Sequence, residues 1–197
     1  MKSKSLFSKL KKRLKGLQSE SRFQHSLAVS KLAGRLGKRY GWDWDQARLA
    51  GLLHDYAKEW SPAKLRSYVN KHHLKVPDMD FILKESPNML HAYVSADLAF
   101  RQGWIKKTND LKAIRSHTLG AVNMSLEEKI MFVADFSAYG RRYAQAKQVR
   151  KLAKRDLEAA LTHALELKML WQLKKRKAIH PMPVKAWNQL VAVKRNR

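Results

Sequence analysis

The residues of this chain whose types and spacing best suit chemistry are His54 and Asp55. They form an adjacent pair at the end of an apolar run at residues 49–53. Lys58 follows one helical turn later. Imidazole nitrogen and carboxylate oxygen together suit a divalent metal such as iron, manganese or zinc. Burial of both groups without a partner would be costly, so the apolar run favours a metal as that partner, although a surface pair at a helix end would also fit.

Four further side chains stand at comparable places: His25, His91, His117 and Asp135. Each lies near the end of a predicted helix or within an apolar stretch, and Asp135 is embedded in the apolar run at 130–136. A single histidine in such a place is more often a hydrogen-bonded structural residue than a ligand. Because helix ends can converge on one cavity, the six residues together predict a metal centre.

Helical signals cover nearly the whole chain, and no segment alternates in the manner of a strand, which predicts an all-α domain. A capping box at Ser21 opens one helix that closes at Gly41, and Asp43 caps the helix that carries the His-Asp pair. Further helices are predicted at 62–72, 78–85, 90–100, 108–117 (capped by Thr108 or Asn109), 126–136 and 144–173, with a short last helix after Pro181. We expect a basic helix at 1–18, a single domain at 19–190 and a basic tail at 191–197.

The N-terminal segment at 1–18 carries seven Lys or Arg residues and no acid. Leu6, Leu10, Leu14 and Leu17 recur at helical spacing, which predicts an amphipathic helix. The favoured interpretation is a helix that packs its leucine stripe on the core. Weak contact with RNA, DNA or an anionic membrane surface is the alternative.

The composition limits the class of protein and of partner. A net charge of +25 attracts anions, whether nucleotides, nucleic acid or acidic lipid. The chain has no cysteine, which excludes disulfides, thiolate metal sites and cysteine nucleophiles. No apolar run approaches the length of a membrane span or forms a signal peptide, so we expect a cytoplasmic protein.

The order of His25, the pair at 54–55 and Asp135 resembles the pattern of the HD-domain metal phosphohydrolases. The likeness extends to the motifs RFQH, HDYAK, LHA, HTLG and RKAIHP, and to the segment from MSLEEKI through Asp135. Jointly these resemble the motifs of the YqeK family over roughly residues 20–190. That family comprises the bacterial HD-domain symmetrical bis(5′-nucleosyl)-tetraphosphatases, which cleave diadenosine tetraphosphate to two ADP.

The resemblance implies an HD-domain helical bundle that binds one or two divalent ions, iron in the family, with manganese or another divalent metal as an alternative. By the same resemblance the metal ligands would be His25, His54, Asp55 and Asp135. The catalytic residues would be Asp55, Lys58, His91 and His117. Substrate contacts would come from Arg22, Lys58, His91, His117, Thr118, Arg141, Arg176, Ile179 and His180.

Two other functions stay open at this point, as does assembly into a homodimer. One is a different HD phosphohydrolase that acts on nucleoside monophosphates or on a guanosine alarmone. The other is a basic nucleic-acid-binding protein whose HD site is vestigial. The complete set of His and Asp residues favours an enzyme over the vestigial site.

Overall fold

The computed structural model describes residues 2–141 and 143–195, which form eleven α-helices and no strand. The helices are α1 (Lys2–Leu17), α2 (Glu20–Tyr40), α3 (Trp44–Leu53), α4 (Pro62–Lys71), α5 (Met79–Glu85), α6 (Leu90–Arg101), α7 (Thr108–Ser116), α8 (Leu126–Ser137), α9 (Ala144–Leu152), α10 (Leu157–Lys174) and α11 (Pro181–Arg195). A short 3-10 turn, Pro87–Met89, joins α5 to α6. The prediction of an all-α fold is confirmed.

Two helices begin at residues other than those predicted. The N-cap of α2 is Ser19, whose hydroxyl accepts a hydrogen bond from the backbone N–H of Arg22, so the predicted box at Ser21 lies inside the helix. Ser19 is the cap because the Glu59 carboxylate accepts hydrogen bonds from its backbone N–H and from its hydroxyl. These bonds fix the position of the residue at which α2 begins. The residue that precedes α7 is Lys107, so Thr108 is the first helical residue and not the cap.

The segment predicted as one helix at 144–173 forms two helices, α9 and α10, with a break at 153–156. Asp156 caps α10 by accepting a hydrogen bond from the N–H of Ala159. The prediction was wrong because Val149 and Leu157 both reach the core, and an apolar stripe continues across the break.

Packing of α2 against α3 and α8 brings the candidate site residues together. Gly51 permits a close approach of α2 to α3, since a Cβ there would lie 2.8 Å from the Cα of Ser30. The Ser30 hydroxyl also donates to the carbonyl of Arg48 at 2.8 Å across the same interface. His25 on α2 and His54 at the end of α3 therefore face each other with ring centroids 5.3 Å apart.

The first helix packs on the core, as its leucine stripe predicted, with Leu10 and Leu14 buried. Leu17 differs from the prediction because it is 58% exposed, while the next residue, Gln18, is buried. The Gln18 side chain donates to the backbone carbonyl of Asp55 at 3.0 Å, so the residue that follows α1 supports the segment that carries the His-Asp pair.

The last helix, α11, runs from Pro181 to Arg195 and continues through the start of the predicted tail at 191–197. Asn196 and Arg197 of that tail lie outside the described residues. Among the helices that the structure describes, none has the length and apolar character required to cross a bilayer.

Candidate metal and phosphate site

The histidines of the site are oriented by the helix ends on which they lie. His54 is the residue that follows α3, and its Nδ1 lies 2.8 Å from the carbonyl oxygen of Gly51. His117 follows α7, and its Nδ1 lies 2.7 Å from the carbonyl of Ile114. Such carbonyls have no helical partner at the end of a helix, and by accepting an Nδ1–H they leave Nε2 free to bind a metal.

Four donor atoms from distant parts of the chain meet in the first cluster. The Nε2 atom of His25 lies 3.0 Å from Oδ1 of Asp135 and 3.8 Å from Oδ2 of Asp55. The Nε2 atom of His54 lies 3.3 Å from Oδ2 of Asp55 and 3.8 Å from Oδ1 of Asp135. The four residues that the family resemblance names as metal ligands therefore converge on one point.

The other carboxylate oxygen of Asp55 faces a second cluster. Its Oδ1 atom lies 3.0 Å from Nε2 of His91 and 3.5 Å from Nε2 of His117. The two imidazole Nε2 atoms are themselves 3.2 Å apart. Asp55 thus stands between two sets of nitrogen donors, an arrangement that suits one ion or two.

The electrostatics keep both carboxylates ionised. Burial alone would raise the pKa of Asp55, but the charge of His54 and the close approach of the Nε2 atoms of His54, His91 and His117 hold it well below its usual value. Burial likewise opposes ionisation of Asp135, yet its hydrogen bond with His25 and the Arg141 guanidinium hold its pKa well below the usual range.

Burial keeps most of the imidazoles neutral. Desolvation lowers the pKa of His91 to about 4, and desolvation also lowers the pKa values of His25 and His117. His54 differs: burial acts against its protonation, but the adjacent Asp55 carboxylate outweighs burial and raises its pKa. Neutral imidazoles beside ionised carboxylates are the protonation states in which these groups bind a metal.

Two buried polar atoms without hydrogen-bond partners in the described part of the chain indicate that the site suits a metal ion. His54 Nε2 and Asp55 Oδ1 have no hydrogen-bond partner among the described residues, although both are shielded from solvent. Unpaired buried polar atoms are costly, and a cation would satisfy both. Three overlapping groups of His and Asp residues have ligand atoms within 4.8 Å of one another, which supports a divalent metal bound by nitrogen and oxygen.

Three cations surround the carboxylates. Arg22 donates from a guanidinium nitrogen to Oδ2 of Asp55 at 2.6 Å, and Arg141 donates to Oδ1 of Asp135 at 2.8 Å. The ammonium group of Lys58 lies 3.5 Å from Nδ1 of His91, and burial lowers its pKa. These groups place positive charge beside the clusters, as a site for an anionic ligand would need.

The cluster opens into a cavity of about 540 Å³. Arg22, Asp55, Lys58, His91, His117, Thr118, Asp135, Arg141 and Arg176 all line it. The Thr118 hydroxyl is buried without a partner among the described residues, so it is available to a ligand. His25 and His54 lie behind this wall as part of the first cluster.

Ile179 and His180 are not brought to the cavity. His180 is buried, with its ring 5.0 Å from that of Phe81 and its Nε2 3.6 Å from Asp78. Its Nδ1 accepts a hydrogen bond from the N–H of Met182, which fits a structural residue at the start of α11. Phe81 lines the cavity, so His180 lies one layer behind the wall.

Lys168 is a cavity residue that the sequence prediction missed. Its ammonium group donates to the backbone carbonyl of Thr118 and lies 4.8 Å from the ring centroid of Phe132. Desolvation lowers its pKa to about 8. The sequence could have indicated this lysine, because Lys168 follows Leu165 by three residues. It therefore lies on the face of α10 whose other side chains pack on the core, where a charged residue is unusual.

Comparison with known proteins agrees with this geometry. Residues 22–139 match the model of the HD domain, and they contain all six His and Asp residues of the two clusters. The chain therefore belongs to the HD domain family.

Two relatives show to which group within the HD domain family the chain belongs. The chain is 36% identical over 173 residues to a symmetrical bis(5′-nucleosyl)-tetraphosphatase from Halalkalibacterium halodurans, which covers 88% of this chain and 90% of the relative. It is 33% identical over 174 residues to the Bacillus subtilis protein of the same name, covering 88% and 91%. Within the HD domain family, the chain belongs to the symmetrical bis(5′-nucleosyl)-tetraphosphatases, as its motifs predicted.

A crystal structure from Clostridium acetobutylicum has the same fold. That protein, described as a "predicted HD superfamily hydrolase involved in NAD metabolism", superposes with a TM-score of 0.87 at 32% sequence identity. The match covers 94% of this chain and 97% of the other. The helical arrangement around the site is therefore that of an HD hydrolase.

Proposed function

We propose that this chain is a metal-dependent hydrolase that cleaves diadenosine tetraphosphate symmetrically to two ADP. The observation that carries the proposal is the convergence of four imidazoles and two carboxylates at the wall of a cavity lined by Arg22, Lys58 and Arg141. The relatives named above support the substrate and the position of cleavage.

His25, His54, Asp55 and Asp135 would hold a divalent metal, for which we propose iron, with manganese as the alternative. When bound, the metal supplies Lewis acidity, which lowers the pKa of a water molecule and polarises a phosphoryl oxygen. His91 and His117 would bind a second ion or contact the phosphates through Nε2. His91 would act as an acceptor or ligand through Nε2, because its Nδ1 faces the backbone carbonyl of Asn88.

The cations of the site would balance the charge of the substrate. Arg22 and Arg141 can turn from their carboxylates to phosphate oxygens, Lys58 can approach as a point charge, and the Thr118 hydroxyl can donate a hydrogen bond. Hydrolysis adds one water across the central phosphoanhydride bond, so each half of the substrate leaves as ADP. Arg176 lines the same cavity and would bind phosphate, whereas Ile179 and His180 stay predictions without a supporting contact.

The products of the metal-loaded protein test this function. We expect anion-exchange chromatography to resolve ADP alone, two molecules for each diadenosine tetraphosphate consumed. AMP together with ATP would contradict symmetrical cleavage. Turnover of nucleoside monophosphates or of a guanosine alarmone, without turnover of the dinucleotide, would favour the other HD phosphohydrolase.

The solvent-exposed face of α1 supports a second function, the binding of nucleic acid. With Leu10 and Leu14 turned to the core, Lys11, Lys12 and Lys15 are exposed on the solvent side. We propose that this face makes weak, sequence-independent contact with nucleic acid. The cytoplasmic location, the homodimer and the division of the chain at 18 and 190 stay predictions.

A further inference from the structure

A second cavity, of about 560 Å³, lies beside the one that contains the His and Asp residues. It is formed by the end of α8, by Tyr143 and the first turn of α9, and by the C-terminal half of α10. Its walls are largely apolar and aromatic, with Phe136, Tyr143, Leu170 and Trp171 as the main contributors. Nothing in the proposed hydrolysis uses these four side chains.

The two cavities are adjacent. Asp135, Arg141, Lys168 and Trp171 line both of them, so the apolar side chains of the second cavity begin beside the cations of the first. Arg141 and Lys168 therefore stand next to both the metal-ligating carboxylates and the apolar cavity.

Three of the apolar side chains that line this cavity are exposed to solvent although they lie close together. Tyr143 is 40% exposed, Leu170 48% and Trp171 52%, and all three face the same cavity. Clustered exposed aromatic and aliphatic residues at a concave surface mark a binding site. The Tyr143 ring is also held in place, because it meets Phe136 edge to face at 5.5 Å and its hydroxyl donates to the backbone carbonyl of Phe136.

The chemistry of this pair of cavities matches that of a nucleotide. Aromatic side chains bind a nucleobase by stacking, and neighbouring cations bind the attached phosphates. Lys174 lines the outer part of the same cavity and adds positive charge there. A purely apolar ligand would gain nothing from this charge, and free phosphate would gain nothing from the rings.

We propose that the cavity formed by Phe136, Tyr143, Leu170 and Trp171 binds one nucleoside of the substrate, with its phosphates directed towards Arg141 and Lys168. The inference rests on the proposed function, which supplies a substrate with a nucleoside at each end of the phosphate chain. It adds the part of the site that distinguishes a nucleotide from an inorganic polyphosphate.

Binding of ADP and of inorganic pyrophosphate to the metal-loaded protein tests the subsite by calorimetry. Tyr143→Ala and Leu170→Ala should each weaken ADP binding, the first by about tenfold through lost stacking, and should leave pyrophosphate binding unchanged. Tyr143→Phe keeps the ring and its edge-to-face contact with Phe136, and should lose much less ADP affinity than Tyr143→Ala. Leu173→Ala is the matched control, because Leu173 is on the same helix, is 59% exposed and lines neither cavity.

Three results would overturn the subsite. They are ADP affinity unchanged in both Tyr143→Ala and Leu170→Ala, an equal loss of ADP and pyrophosphate affinity, and no binding of ADP by the unaltered protein. Failure of the proposed function is a separate result, since it is measured as absence of ADP release from diadenosine tetraphosphate. A protein that fails that assay but binds ADP with the dependence described here would retain the nucleoside subsite.

Discussion

Lys168 extends from the inner face of α10 into the wall shared by the two cavities. An ammonium group in so little water is destabilising, which is why the pKa of Lys168 is lowered to about 8 from 10.5. Its hydrogen bond to the Thr118 carbonyl only partly offsets that cost. A group that lowers stability beside the cavity proposed for the substrate phosphates is better explained by function than by folding.

The lowered pKa of Lys168 predicts how stability varies with pH in the metal-free protein. Between pH 8 and 10.5 the unfolded chain binds more protons at this residue than the folded chain, so the cost of burying the ammonium disappears as the pH rises. We expect the unfolding free energy of the wild type, relative to Lys168→Met, to improve across that interval. Denaturant titrations at pH 7.5 and 10 measure it, and a difference that stays constant or moves towards Lys168→Met would contradict it.

At the scale of the element, the ends of helices determine which residues meet. His54 and His117 each follow the last residue of a helix and bind a carbonyl three residues earlier, so the local fold sets the ring orientation. Close approach of α2 to α3 at Gly51 then determines how far His54 lies from His25. The distance between the two histidines thus depends on the absence of a side chain at Gly51.

Gly51→Ala should separate the two helices, because the added Cβ would meet backbone atoms of Ser30 that cannot move alone. We expect a loss of about 1–3 kcal/mol in unfolding free energy together with weaker metal retention. Gly16→Ala in α1 is the control, since no heavy atom lies within 4 Å of its added Cβ. It should stabilise by roughly 0.5–1 kcal/mol, as expected for a helical glycine. Equal metal content and equal melting temperature in the two variants would refute this role for Gly51.

Local signals were sufficient for most helices but not for the contacts between them. Ser125 with Glu128 and Ser61 with Pro62 cap α8 and α4 as predicted, because capping depends on residues close in sequence. The His and Asp residues could be selected from apolar context and from family motifs. Their pairing could not, because each distance depends on packing between helices remote in sequence. Gln18 was missed for the same reason, since its partner is the carbonyl of Asp55.

At the scale of the whole molecule, the net charge of +25 exceeds what one polyphosphate requires. Part of the excess lies on α1, but that helix also supports the site. Arg13 donates to the Tyr56 hydroxyl at 3.0 Å, and Gln18, the residue after the helix, donates to the backbone carbonyl of Asp55. Deletion of residues 1–17 would therefore disturb both surface charge and the site. Charge reversal on the exposed face separates the two effects.

The triple change Lys11→Glu, Lys12→Glu and Lys15→Glu should weaken RNA binding and flatten its dependence on salt, while melting temperature and ADP release stay near wild type. The matched control reverses three exposed lysines of the α9 region, Lys147, Lys151 and Lys154. Filter binding over a range of salt concentrations makes the comparison. If both triple variants lose the same affinity, the binding reflects overall charge and not the face of α1.

We propose that the converged His and Asp residues hold the metal on which hydrolysis depends. Metal content of the purified protein, measured by mass spectrometry alongside ADP release, tests it in Asp135→Asn and in Asp80→Asn, an exposed residue that undergoes the same charge change. We predict that Asp80→Asn matches the wild type, while Asp135→Asn loses metal and ADP release together, each by more than about tenfold. Full metal content with undiminished ADP release in Asp135→Asn would contradict this assignment of the metal ligands.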